Sequence, residues 1–235
     1  IGADSFRDLA KEMGFSVVSS ADDKPAAVLQ GFDKSVGWEQ LTEGALAIRA
    51  GAKFFASNLD TSLPIERGLG VGNGSLVAAV QKATGVEPVS AGKPEPAMFF
   101  LAAKKVGSKK PLAVGDRLDT DIVGGNTAAM NTFHVLTGVS GELELIEAPV
   151  EARPNFIGAG MHELSLPISQ VRPGPQGDFT ARCDGYDVLL QGGNESSTSV
   201  QALRTVLEVA WSMPAPPRYI QPRSEFAEKV VSKWR

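Results

Sequence analysis

Cysteine occurs once, at Cys183, so no disulfide can close within the chain and no metal site can be built from cysteine ligands. That usage fits a cytoplasmic setting best, and no signal peptide is expected. Histidine occurs only at His134 and His162, which is too little to argue a Ser/His/Asp nucleophile from sequence. Mid-strand in pattern, His134 reads as a packed residue. No apolar run approaches the roughly 20 residues that cross a bilayer, which excludes a membrane-spanning helix. Basic charge is not in excess either: Lys+Arg 23 stand against Asp+Glu 27, for a net charge of −4. A nucleic-acid partner would leave a basic footprint, and none is present. What remains is a chain of 235 residues, 43% hydrophobic, with room for one large core or two smaller ones.

The pattern is strand and helix in alternation. Phe6, Leu9, Ala10 and Met13 recur at helical spacing up to Gly14, as do Trp38, Leu41, Ala45 and Ile48 up to Gly51. Val17-Val18, Val28-Leu29 and Lys53 to Ala56 read as strands, the last running into the polar loop Ser57-Asn58-Leu59-Asp60. Gly68, Gly70, Gly72 and Gly74 precede no Gly-Lys-Ser/Thr, so they read as a turn rather than a phosphate cradle. A helix is expected from Ser75, as N-cap, to Thr84. Val89 to Ala91 is a strand emptying into Gly92-Lys93-Pro94, with Pro94 in the first turn of a helix carrying Met98, Leu101 and Ala102. Leu112 to Val114, a helix from about Thr120 to Met130, and Phe133 to Leu136 continue the alternation, which implies a parallel sheet. After about Ala148 the register changes. Asn155 to Ile157 can supply a last strand, and Pro167 to Gly177 is rich in Pro and Gly. A helix with Val200, Leu203, Leu207, Ala210 and Trp211 on one face, and another with Phe226, Val230 and Trp234, form a tail expected to be a small appended layer.

The sharpest chemical signal is Val114-Gly115-Asp116-Arg117-Leu118-Asp119-Thr120-Asp121. Open parallel sheets bind ligands at the carboxyl ends of their strands, and these acids project there. Mg²⁺ takes carboxylate oxygens, one or two from the protein with water and phosphate completing the octahedron. One acid can hold the metal and another brace it. The competing reading is that Asp119 or Asp121 only caps the following helix. Gly92-Lys93-Pro94 is the second signal, because a lysine at a strand end can neutralise a phosphate and the carboxylate that attacks it. Alone it is an ordinary turn. It gains weight from lying one βα unit before Asp116, which is expected to place the two on neighbouring strands.

Together these segments resemble motifs three and four of the haloacid dehalogenase-like (HAD) phosphatases. More narrowly they resemble the NagD-like or p-nitrophenylphosphatase-like branch, with wording closest to actinobacterial glycerol-3-phosphate phosphatases. Phe54 to Asp60, Gly72-Asn73-Gly74-Ser75-Leu76 and Ala83-Thr84-Gly85 are similar to the cap of that branch. The resemblance implies an α/β fold: a partial Rossmann-like parallel-sheet HAD core, an α/β cap domain, and a small α+β C-terminal extension. The segments would be the end of an N-terminal core over 1–25, a cap over 26–87, a core with motifs three and four over 88–168, and the extension over 169–235. It implies Mg²⁺ on Asp116, with Asp121 supporting the metal shell and Lys93 binding the transferring phosphoryl group. Lys93 and Asp121 are thus the expected catalytic residues, and Lys93, Asn58 and Asp60 the expected substrate-binding ones. The substrate would be a small phosphorylated metabolite such as glycerol 3-phosphate or phosphoglycolate. Leu63 stands where pyridoxal phosphatases carry His, which argues against that substrate. A homo-oligomer through the cap or the extension is left open.

The departure from the family is its first motif, Asp-x-Asp-Gly, whose first Asp attacks phosphorus. No such motif occurs here, and the Asp-Gly at Asp184-Gly185 follows Arg182 and lies after motif four. Motif two is likewise absent. Since the chain begins at Ile1 rather than Met, the expectation is that a preceding segment carries the nucleophile and that these residues alone are inactive. The alternative is a non-catalytic remnant that acts as a binding or regulatory protein.

Overall fold

The structure is a computed structural model that describes residues 1–234; Arg235, the last residue of the expected extension, lies outside the described residues. The chain divides into two compact units, Ile1–Ala102 and Ala103–Arg235. Among the described residues no helix is long and apolar enough to cross a membrane.

The first unit contains α1 (Asp4–Glu12), β1 (Ala27–Gln30), α2 (Trp38–Arg49), β2 (Lys53–Ala56), the hairpin β3 (Ser62–Ile65) and β4 (Gly68–Val71), α3 (Asn73–Thr84) and β5 (Val89–Ser90). A helix α4 (Ala97–Lys105) runs across the boundary. Strands β1, β2 and β5 form a parallel sheet in that order. Val28, Phe54 and Ala56 of the sheet pack with Ala47 and Ile48 of α2 and Val77 and Val80 of α3 in one apolar cluster. These are the inward positions of period-2 strands and period-3.6 helices, so the apolar pattern alone dictates which faces meet.

Several sequence expectations need correction here. Val17-Val18 forms no strand, because β-branched residues favour extended backbone but a strand also needs a paired neighbour. Helix α3 starts before Ser75: Gly72 is the N-cap, and the Ser75 hydroxyl instead donates to Thr61 O at 2.7 Å. Gly74 sets that start, since a Cβ there would collide with Leu59 O, and its N–H donates to Asp60 O at 2.8 Å. Gly68 to Val71 is a hairpin strand rather than a turn. Pro94 stands three residues ahead of α4 and outside it. Strand β5 pairs with β2 in parallel.

The second unit holds β6 (Leu112–Gly115), a turn of π-helix at Leu118–Ile122, α5 (Val123–Thr127), β7 (Asn131–Val135), α6 (Glu142–Glu147) and β8 (Phe156–Gly158). It continues with α7 (Ile168–Val171), β9 (Phe179–Asp184), β10 (Asp187–Gly192), α8 (Ser199–Ala210), β11 (Ile220–Pro222) and α9 (Glu225–Val231). Strands β6, β7 and β8 are parallel, and a second sheet has the order β11-β10-β9, with β9 antiparallel. The tail packs into the core of this unit. Leu203, Val206 and Leu207 of α8 share one buried cluster with Leu118, Ile122, Leu145, Ile146 and Ile157. Arg204, only 2% exposed, donates from Nε to Ile157 O at 2.8 Å and pairs with Glu163. Such a charge is tolerated inside because its donors are satisfied.

Candidate functional site

Strand β6 delivers Gly115 and Asp116 at its carboxyl end, where a parallel sheet presents residues to a ligand. The backbone then turns so sharply that a Cβ on Gly115 would collide with the Asp121 side chain. That closeness lets Asp121 Oδ2 accept the N–H groups of Asp116 at 3.2 Å and Arg117 at 3.1 Å. Asp121 is buried, and its carboxylate reaches back along the chain to hold the strand end. The exposed Asp119 pairs instead with Arg117, whose Nε and Nη2 donate to its two oxygens at 3.2 and 3.1 Å. Neither acid caps the following helix: the π-turn and α5 have no side-chain cap.

Asp116 is half-buried, and a loop that the sequence did not mark holds it. Val139 N–H donates to Asp116 Oδ2 at 2.8 Å, and Ser140 N–H to its backbone oxygen at 3.0 Å. Ser140 Oγ accepts Leu118 N–H at 3.3 Å, and Ser140 O meets His134 Nε2 at 3.0 Å. His134 is fully buried on β7, as packing predicts. Burial pushes its pKa below the usual imidazole value, against the upward pull of Ser140 O and of Asp116, Asp121 and Glu144. The signal available in sequence was topological. The loop after β7 follows the strand beside β6, so its residues had to border Asp116.

Gly138 makes the tightest contact in that loop, for a Cβ there would fall on Asp116 Oδ2 and Cγ. Gly138→Ala is expected to destabilise the protein by about 1–3 kcal/mol, the usual cost of forcing a methyl group into filled space. An unchanged midpoint in denaturant unfolding would contradict this packing.

A cation site can be tested against these atoms. Asp116 has one oxygen bonded to Val139 and the other without a hydrogen bond among the described residues. No group of three His, Cys, Asp or Glu residues is assembled among the described residues. One open carboxylate oxygen at a strand end does not make the closed tetrahedral cage of a structural zinc. It fits Mg²⁺, which keeps several waters and takes only one or two carboxylates.

The other expected site residues meet in the first unit. Lys93 Nζ lies 3.8 Å from Asp60 Oδ2, both about a quarter exposed at 27% and 24%. Asp60 N–H donates to Asn58 Oδ1 at 3.2 Å, and Leu59 N–H to Lys93 O at 3.3 Å. Asn73 Nδ2, missed by the sequence reading, donates to Asn58 O at 2.8 Å and ties the loop to α3. Asp60 Oδ1 is buried without a hydrogen bond among the described residues, which leaves the long pair with Lys93 as its compensation. Leu63 lines a separate open groove of about 690 Å³ together with Phe32, Lys34, Ile65, Arg67 and Leu76.

Residues 90–164, spanning both motifs, match the HAD-hydrolase-like family model (Hydrolase_like). The chain is 35% identical over 245 aligned residues to the D-glycerol 3-phosphate phosphatase of Mycobacterium tuberculosis, covering all of this chain and 69% of that protein. It is 40% identical over 142 residues to the 5'-nucleotidase YutF of Bacillus subtilis, covering 60% of this chain and 54% of that one. Among solved structures, the glycerol phosphate phosphatase of Mycobacterium tuberculosis in complex with magnesium superposes with a TM-score of 0.90 at 36% identity. That likeness spans 100% of this chain and 70% of the other. With a full-length likeness at this identity and the Gly-Asp strand end in place, the chain belongs to the HAD-like hydrolases.

Proposed function

We propose that the chain is the larger part of a Mg²⁺-dependent phosphatase acting on small phosphomonoesters such as glycerol 3-phosphate or phosphoglycolate. The observation that carries this reading is Asp116: a strand-end carboxylate with one oxygen anchored by Val139, the other open, and its backbone braced by Asp121. Bound there, Mg²⁺ would neutralise charge on the phosphoryl group. Lys93 binds the phosphoryl oxygens as a compact cation, oriented by Asp60, with Asn58 shaping the same loop. Asp121 acts by positioning, since its Oδ2 is engaged by two backbone amides. In this reading 26–87 forms the cap and 88–168 the core. The phosphoryl group passes to an Asp outside this chain: its carboxylate oxygen bonds to phosphorus as the bond to the leaving oxygen breaks, and water then releases phosphate.

The absence of Asp-x-Asp-Gly favours a second reading, a phosphatase-like binding protein without turnover. A substrate screen on the protein with its upstream segment separates the two. Aliphatic phosphates are expected to exceed pyridoxal phosphate and nucleotides in kcat/KM, a ranking that rests on the likeness to the D-glycerol 3-phosphate phosphatase. A ranking led by pyridoxal phosphate contradicts the substrate class, and no turnover of any phosphate supports the binding protein.

A further inference from the structure

We infer that the C-terminal extension positions the acid-bearing loop, with Trp211 as the residue that links them. The geometry stands on its own, while its consequence for metal binding rests on the function proposed above. Trp211, directly after α8, donates from Nε1 to Leu145 O of α6 at 2.9 Å. Arg153 locks the indole in place. Its guanidinium lies 5.5 Å over the ring, Nη1 donates to Trp211 O at 2.9 Å, and Nε donates to Ala148 O at 3.0 Å. The far end of α6 is thereby fixed to the extension, and Leu145 and Ile146 are buried in the cluster that includes Leu203, Val206, Leu207 and Ala210 of α8.

Helix α6 begins immediately after Ser140-Gly141. Residues 137–141 have no helix or strand of their own, yet they supply the N–H on Asp116 Oδ2 and the hydroxyl that accepts Leu118 N–H. A loop without regular structure holds such geometry only if its ends are fixed. One end is β7, and the other is α6, whose anchor is Trp211. From below, Leu118 and Ile122, on either side of Asp119 and Asp121, bury into the same cluster as α8. The acids are therefore seated on the extension from two directions, through apolar contact and through one indole hydrogen bond. Supporting groups of this kind usually alter metal affinity when removed.

The test is amide hydrogen exchange, read by NMR on the 235-residue chain. Trp211→Phe keeps an aromatic ring, smaller than the indole, and removes the N–H. Trp234→Phe is the matched control, for Trp234 is also buried in this cluster and its Nε1 donates to Ser199 Oγ at 2.8 Å. Protection of the Val139 and Ser140 amides is expected to fall about fivefold in Trp211→Phe, the weight of one hydrogen bond, and to stay at the wild-type level in Trp234→Phe. If Trp211→Phe does not fold, Arg153→Lys removes the clamp on the indole and should show the same pattern. Equal losses in both tryptophan variants, or losses in neither, overturn the inference. A Mg²⁺ titration followed at the Asp116 amide forms the second arm, with Trp211→Phe expected to need about fivefold more Mg²⁺ than wild type or Trp234→Phe. Asp116→Asn titrating like wild type, or no titration by wild type, sinks the metal reading alone, and the exchange pattern still decides the positioning claim.

Discussion

Asp116→Asn is expected to lower Mg²⁺-dependent phosphate release by a factor on the order of a thousand or more while leaving the fold intact, in protein that carries its nucleophile segment. Asn has the shape of Asp and keeps one oxygen, which can still accept the Val139 N–H now bonded to Oδ2 at 2.8 Å. The Asp121 brace acts on the backbone N–H groups of Asp116 and Arg117, so it is untouched by the change. What changes is the open position. A carboxylate oxygen becomes an amide NH₂, which carries no charge and points donors where a cation would sit. The stability cost should therefore stay below about 1 kcal/mol, as for one weakened hydrogen bond. Asp119→Asn is the control, because Asp119 is exposed and pairs with Arg117 alone among the described residues; its activity should remain within about twofold, as for a surface ion pair. Phosphate release and thermal melting on the same samples check both claims. An Asp116→Asn protein that turns over an aryl phosphate near the wild-type rate removes Asp116 from the mechanism.

The 235-residue chain by itself is expected to release no phosphate above a Lys93→Ala control. A nucleophile must stand about 3–3.5 Å from phosphorus and in line with the leaving oxygen. None of the assembled acids suits that role. Asp121 spends Oδ2 on two backbone amides, Asp60 faces Lys93 at 3.8 Å, and Asp116 is the residue proposed to hold the cation. Strand β6 also pairs with β7 alone among the described residues, with Leu112 and Val114 exposed at 42% and 37%. An apolar edge strand of this kind invites a further strand. We expect activity to appear when a segment with a hydrophobic strand ending in Asp-x-Asp-Gly is supplied. Turnover by the 235-residue chain above its Lys93→Ala control would place the chemistry elsewhere, and an upstream reading frame without the motif would favour the non-catalytic remnant.

Reading the sequence located the acids and the lysine, and most of the strands and helices, because their determinants are local. Val28, Phe54 and Ala56 alternate with period two, Leu203 and Leu207 recur at helical spacing, and Gly115-Asp116 closes a short apolar strand. Backbone geometry converts those spacings into faces without reference to the rest of the chain. Strand pairing was not legible, for a run such as Val17-Val18 has strand propensity whether or not a neighbour exists. The same limit hid the hairpin of β3 and β4, whose glycines resemble a turn. The role of Val139 and Ser140 was equally hidden, since a backbone N–H is common to almost every residue and only the fold aims it at Asp116. Whether a tail stands apart or joins a core depends on which apolar faces meet in space, and Arg204 on Ile157 O and Trp211 on Leu145 O are contacts that no local pattern encodes.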